Sequence, residues 1–106
     1  MIIVKFHEEV EIFFDELTEI LFDKEYFGFK DSAKLYVTEL VQEIIRTIHN
    51  KHKRIAPEYF SKYSLNLQYT AYKRNKTTWY VFFHFANNTY YIRYIGNNHN
   101  VGQYLK

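Results

Sequence analysis

Cysteine is missing from this chain altogether. Disulfide bridges, thiol nucleophiles and zinc–thiolate centres are thereby excluded, and a chain without disulfides suits a reducing compartment, read here as the cytoplasm. Proline occurs once, at Pro57, and glycine three times, so the few breaks in pattern are informative. No apolar run approaches the roughly 20 residues that a membrane-spanning helix needs. The opening residues, MIIVKFHEEVEIFF, lack the small-residue cleavage site of a signal peptide. Negative charge is nearly absent from one half of the chain: after Glu43 the sole acidic side chain is Glu58.

What is present follows from that last absence. Residues 1–45 carry eleven acidic residues against four Lys and Arg, and residues 46–106 carry one against ten, so formal charges of −7 and +9 lie beneath a net +2. The cationic half also holds nine of the eleven tyrosines and the one tryptophan. A basic, tyrosine-rich half points to a polyanionic partner, nucleic acid above all. With 106 residues the chain is long enough for one hydrophobic core and too short for two.

Residues 2–6 alternate and predict a short strand. From about residue 8 the period becomes helical. Val10, Phe13, Phe14, Leu17, Ile20 and Leu21 share one face, while Glu8, Glu11, Asp15, Glu19 and Asp23 cover the other. Tyr26 to Phe29, with Gly28, read as a break. Asp31 or Ser32 can cap a second helix whose buried stripe would be Ala33, Val37, Leu40, Val41, Ile44 and Ile48. Two helices joined by a short link form an antiparallel hairpin.

A basic segment, His49 to Arg54, ends the second helix, and Pro57 stops helix from continuing. Beyond about residue 64 the pattern is strand, with one hairpin turn around Asn75 and another at Asn87 and Asn88. A two-residue turn at Asn87–Asn88 sets Phe85 opposite Tyr90 and Phe83 opposite Ile92. A three-residue turn around Asn75 then places Leu65, Leu67, Tyr69, Ala71, Trp79, Val81, Phe83, Phe85, Tyr90, Ile92 and Tyr94 on the helix-covered face. The opposite face would carry Gln68, Thr70, Tyr72, Arg74, Thr78, Tyr80, His84, Tyr91 and Arg93. The expected architecture is one α+β domain over residues 1–106, ordered β-α-α-β-β-β: an antiparallel twisted sheet with a helical hairpin on one face, and a short C-terminal element from about residue 99.

That order, with the stretches APEYFSKYS at 56–64, YKRNKTTWYVFF at 72–83 and TYYIRYIGNNH at 89–99, resembles the RelE/ParE superfamily of toxins from type II toxin-antitoxin systems. The resemblance implies a small toxin neutralised by a cognate antitoxin protein. RelE-like members are metal-independent, ribosome-dependent endoribonucleases that cleave messenger RNA and so inhibit translation; ParE-like members inhibit DNA gyrase without chemistry of their own. Arg93 matches the family's strand arginine, and His99 stands where a C-terminal acid/base group is expected. Lys73, Arg74 and Lys76 fall where the family carries basic hairpin residues. The third possibility is a non-toxic binding or structural relic of the fold.

Cleavage of RNA by its own 2′-OH needs a base, a proton donor to the leaving oxygen and cations facing the phosphorane. Some family members use a glutamate as base; this chain would work with Arg93, His99, Arg74 and Lys73. A guanidinium suits phosphate, and an imidazole suits proton transfer. Lys76, Tyr72, Tyr80, Tyr91 and His84 would bind RNA, the tyrosines by stacking on bases. No cofactor and no metal are expected: His49 and His52 have H-x-x-H spacing, but a basic helix end explains them. The plainer readings are an exposed or Glu58-paired Arg93, a solvated NNHN turn around His99, and tyrosines that serve as strand formers.

Overall fold

A computed structural model describes residues 2–23, 30–74 and 76–105. The elements are β1 (Ile3–Phe6), α1 (Glu8–Asp23), α2 (Lys30–Thr47), β2 (Arg54–Ile55), β3 (Gln68–Arg74), β4 (Thr77–Ala86) and β5 (Thr89–Asn97), with 3₁₀ turns at Ile48–Asn50, Glu58–Lys62 and Gly102–Leu105. The break expected at Tyr26–Phe29 lies outside the described residues.

His7 opens α1. Its carbonyl accepts from the Val10 and Glu11 amides, and its Nδ1 accepts from the Glu9 amide at 3.2 Å, which satisfies donors that a helix start leaves unpaired. Three acids in the first turn face the positive end of the helix dipole. α2 begins at Lys30, so Asp31 and Ser32 sit inside its first turn rather than before it. Its apolar stripe runs as the periodicity predicts: Ala33, Val37, Leu40, Ile44 and Ile48 are buried, and Val41 packs against them.

The five strands form one sheet in the order β1-β5-β4-β3-β2. It is mixed rather than antiparallel throughout, because β1 runs parallel to β5 while the other pairs are antiparallel. The physical reason is connectivity: the helical pair intervenes between β1 and the rest, and a crossover of that length permits parallel pairing. The β4–β5 turn has Asn87 at φ 52° and Asn88 at φ 58°, the left-handed pair that a two-residue hairpin requires, and Phe85 and Phe83 oppose Tyr90 and Ile92 as expected.

Two registers differ from expectation. Arg74 pairs with Thr77 and Tyr72 with Trp79, so the first hairpin has a two-residue rather than a three-residue connection. A slip of one residue transfers every side chain of a strand to the other face. Tyr72 therefore enters the helix-covered core with Trp79, Val81 and Phe83, while Leu67 and Tyr69 leave it. In β5, the pairing passes from Phe83–Ile92 to Phe82–Tyr94. Arg93 is the extra residue of this β-bulge, and Ile95 replaces Tyr94 on the helix side.

The second face is not open. Phe60, Leu67, Tyr69, Phe82 and Val101 form a separate buried cluster beneath the two later 3₁₀ turns. Phe60 stacks on Phe82 with ring centroids 4.4 Å apart, Tyr63 on Tyr94 at 4.0 Å, and Tyr59 on Tyr104 at 3.7 Å. Gly96 is required here: a Cβ at that position would lie 2.8 Å from both methyls of buried Val101.

Candidate nucleic-acid interface

The segment between α2 and β2 bends back alongside β3. Thr70 Oγ1 donates to the His52 carbonyl at 2.8 Å, and Lys53 Nζ donates to the Lys51 carbonyl at 2.8 Å. Lys53 is thus folded onto its own segment, and burial pulls its pKa below the ordinary lysine value. Its neighbours line a cleft of ≈ 590 Å³: Lys51, His52 and Arg54 on one side, Tyr69, Ala71 and Tyr80 from the sheet on the other, with Gly102 and Leu105 at the end. His52 and Arg54 are exposed, and Tyr80 is half-buried with its ring edge-on to Tyr69 at 6.1 Å. The cleft therefore combines cations for phosphates, an aromatic ring for a base and an imidazole for proton transfer.

In the sequence the His49–Arg54 segment reads only as a basic helix end, and the expected catalytic residues lie elsewhere. Tyr69, expected on the helix-covered face, lies on the opposite one. The unread signal was Arg54–Ile55, two residues that pair with Gln68–Tyr69 and bring the basic segment to the sheet.

Two of the expected site residues are corrected outright in their placement. Tyr72 is fully buried against α2, hydrogen-bonded 3.3 Å from Thr47 Oγ1, with Lys51 Nζ 4.5 Å from its ring centre; it has no face to offer a base. Burial also raises its pKa, partly opposed by the Thr47 hydrogen bond. Arg74 points to the helix side, where Nη1 meets Glu43 at 3.0 Å, Nη2 meets Glu39 at 3.1 Å, and the guanidinium lies over Tyr36. Its charge is answered by two carboxylates, so it is not a free phosphate clamp.

Arg93 is also engaged. Its Nη2 donates to the Tyr63 carbonyl at 3.1 Å, and its Nε is buried with no hydrogen-bond partner among the described residues. It borders a separate niche of ≈ 260 Å³ with Tyr63, Tyr94 and Glu9, Ile12 and Glu16 of α1. His99 stands exposed in the turn after β5, its amide donating to Asn97 Oδ1 at 2.8 Å. That turn is tied to β4 by Thr78, whose amide donates to Asn98 Oδ1 at 3.0 Å and whose carbonyl accepts from the Asn98 amide. Since Thr78 pairs with Lys73, His99, Lys73 and Lys76 share one end of the sheet, Lys73 and Lys76 being exposed. Arg93, four to five residues along the strands, is about 15 Å from that end at ~3.3 Å per residue. The structure does not bring the four expected catalytic residues together.

Tyr91 and His84 stack at 4.9 Å near the Asn87–Asn88 turn, and His84 Nδ1 is buried with no hydrogen-bond partner among the described residues. Tyr59, stacked on Tyr104, is pulled below the ordinary tyrosine pKa by hydrogen bonds with Lys62 and Tyr104. Burial raises Tyr94, and its hydrogen bond to Tyr63 adds to the rise. Among the described residues there is no group of three or more potential metal ligands, and no helix is long and apolar enough to cross a membrane. In comparisons with known proteins, no family model, no curated protein and no solved structure matches this chain.

Proposed function

We propose that this chain is a RelE/ParE-like toxin that acts on RNA as a metal-independent, ribosome-dependent messenger endoribonuclease, neutralised by a cognate antitoxin. The observation that carries the reading is the cleft in which Lys51, His52 and Arg54 face Tyr69 and Tyr80. The β-α-α-β-β-β-β order, in which the short β2 is added to the six expected elements, and the helical pair packed on one sheet face support it. In this reading Lys51 and Arg54 neutralise successive phosphates, and Arg54 stabilises charge that builds on the phosphorane. Tyr80 stacks on a base turned out of the message. His52 removes the 2′-OH proton, and Lys73 or His99, at the neighbouring sheet end, protonates the 5′ leaving oxygen. Arg93 is a positioning residue that holds the 58–63 segment through the Tyr63 carbonyl.

The test is controlled induction in a bacterial host with parallel labelling by an amino acid and thymidine, comparing wild type with a Lys51→Ala, Arg54→Ala double variant. Early loss of protein synthesis with wild type, abolished in the variant, is the expected result. Early loss of DNA synthesis instead would transfer the reading to gyrase inhibition. No effect on either label would remove the toxin reading.

A further inference from the structure

Two turns over the second sheet face each bury an apolar anchor and leave a tyrosine outside. Phe60 seats the Glu58–Lys62 turn and Val101 seats the start of the Gly102–Leu105 turn, both in the same buried cluster. Tyr59, next to Phe60, and Tyr104, whose amide donates to the Val101 carbonyl at 2.9 Å, remain 41% and 37% exposed. Their rings are stacked with centroids 3.7 Å apart and planes 5° from parallel. The two hydroxyls share a hydrogen bond in which Tyr59 accepts; Lys62 also donates to Tyr59, and its Nζ lies 4.0 Å from the centre of that ring. Stacked rings with their hydroxyls side by side also bring the carbons next to those hydroxyls face to face. The fold thus holds two reactive positions, far apart in sequence, near contact distance.

We propose that Tyr59 and Tyr104 form an oxidative modification site, at which a one-electron oxidant joins the two rings into an intrachain dityrosine. Two equivalents of oxidant each take one electron, one from each ring, and the two phenolic protons leave to water. The paired radicals carry unpaired density on the carbons beside their oxygens, and a C–C bond forms between one such carbon of each ring. Each of those carbons then gives up its hydrogen as a proton while its oxygen regains one, which restores both phenols. The net loss is two electrons and two protons. Hydrogen bonds donated by Lys62 and Tyr104 favour the phenolate of Tyr59, the form that yields an electron more readily than the phenol. A second stacked pair, Tyr63 and Tyr94 at 4.0 Å and 9°, serves as the comparison. Both of its members are half-buried, and burial holds the Tyr94 proton in place, so an oxidant in solution reaches the Tyr59 pair first. The new bond ties the Gly102–Leu105 turn, part of which borders the cationic cleft, to the Glu58–Lys62 turn, and it closes a long loop in the unfolded chain. The site rests on these two turns and holds whether or not the cleft acts on RNA.

The test is brief oxidation of the dilute full chain by a photogenerated ruthenium(III) complex, with persulfate as the final electron acceptor. The expected main product migrates as a single chain, weighs two hydrogens less than the untreated protein and shows dityrosine fluorescence. On digestion it should yield one linked peptide pair containing Tyr59 and Tyr104. Its urea unfolding midpoint should lie above that of the untreated chain, as a closed loop requires. Tyr59→Phe and Tyr104→Phe keep the rings but remove the phenols, so each should abolish this product, while Tyr63→Phe should leave it; circular dichroism checks the fold of all three. Oxidation in concentrated urea should also abolish it, because the fold brings the two rings together. A wild type that gives no intrachain product, or one linked mainly at Tyr63 and Tyr94 or at another pair, would overturn the proposal. Equal yield of the Tyr59–Tyr104 product from the unfolded chain would overturn it as well.

Discussion

At the scale of single residues, the same side chain changes meaning with the face it occupies. Arg74 sits in a run of Lys, Arg and Asn that reads as a basic hairpin tip, yet its guanidinium ties β3 to Glu39 and Glu43 of α2. Its side chain is 22% exposed and the two carboxylates more so, so solvent screens the pair. Arg74→Ala is expected to cost about 1 kcal/mol of stability, measured by urea unfolding, with RNA affinity unchanged. Tyr72→Phe removes a single hydroxyl near Thr47 and should cost about 0.5–1.5 kcal/mol, again without effect on RNA. A loss of RNA binding in either variant, with the fold intact, would return these residues to the interface. Neither role was legible locally, because strand alternation states which residues share a face but not which face is covered.

At the scale of elements, the C-terminal segment is held to the sheet by close contacts rather than by length. Val101 is 4% exposed, and its methyls occupy the space that a side chain at Gly96 would need. Gly96→Ala should therefore force the Val101 side chain and the Gly102–Leu105 turn away from β5, at about 1–3 kcal/mol. The loss is expected in urea unfolding, together with faster hydrogen exchange in the 98–105 segment. A variant as stable and as protected as wild type would show that the segment is not seated there. The helices were the easiest elements to read, since α2 buries its apolar stripe at helical spacing. The strands were harder: the Asn87–Asn88 turn announces itself through residues that accept positive φ, whereas the bulge at Arg93 has no sequence signature of its own.

At the scale of the whole molecule, the tyrosines connect stability to pH. Burial raises Tyr72, Tyr90 and Tyr94 above the ordinary value of 10.0. A tyrosine with a raised pKa in the folded state keeps its proton where the unfolded chain has lost it. The contribution is therefore complete below about pH 10 and is lost as the pH rises through the higher folded values. Stability should fall steeply in that alkaline range, with phenolate absorbance rising together with loss of the fold; phenolate formation completed before unfolding would contradict it.

The cationic cleft makes a second prediction at this scale. Binding of a single-stranded RNA oligonucleotide should weaken linearly in log affinity against log salt, and the Lys51→Ala, Arg54→Ala double variant should reduce the slope by about 1.4, at about 0.7 per single-strand phosphate contact. Fluorescence anisotropy measures it. An unchanged slope would place the phosphates elsewhere.

The amino-acid order by itself determined the helical pair, the strand-rich second half, the Asn87–Asn88 turn and the separation of charge, because each rests on local periodicity, backbone preference or composition. Only the tertiary structure decided which face of β3 is buried, that Arg74 is paired with α2, and that β2 brings Lys51, His52 and Arg54 beside Tyr69 and Tyr80. Those outcomes depend on one-residue registers and on contacts between residues far apart in sequence. A single added or skipped residue reverses a strand's two faces, and local pattern alone does not choose between them.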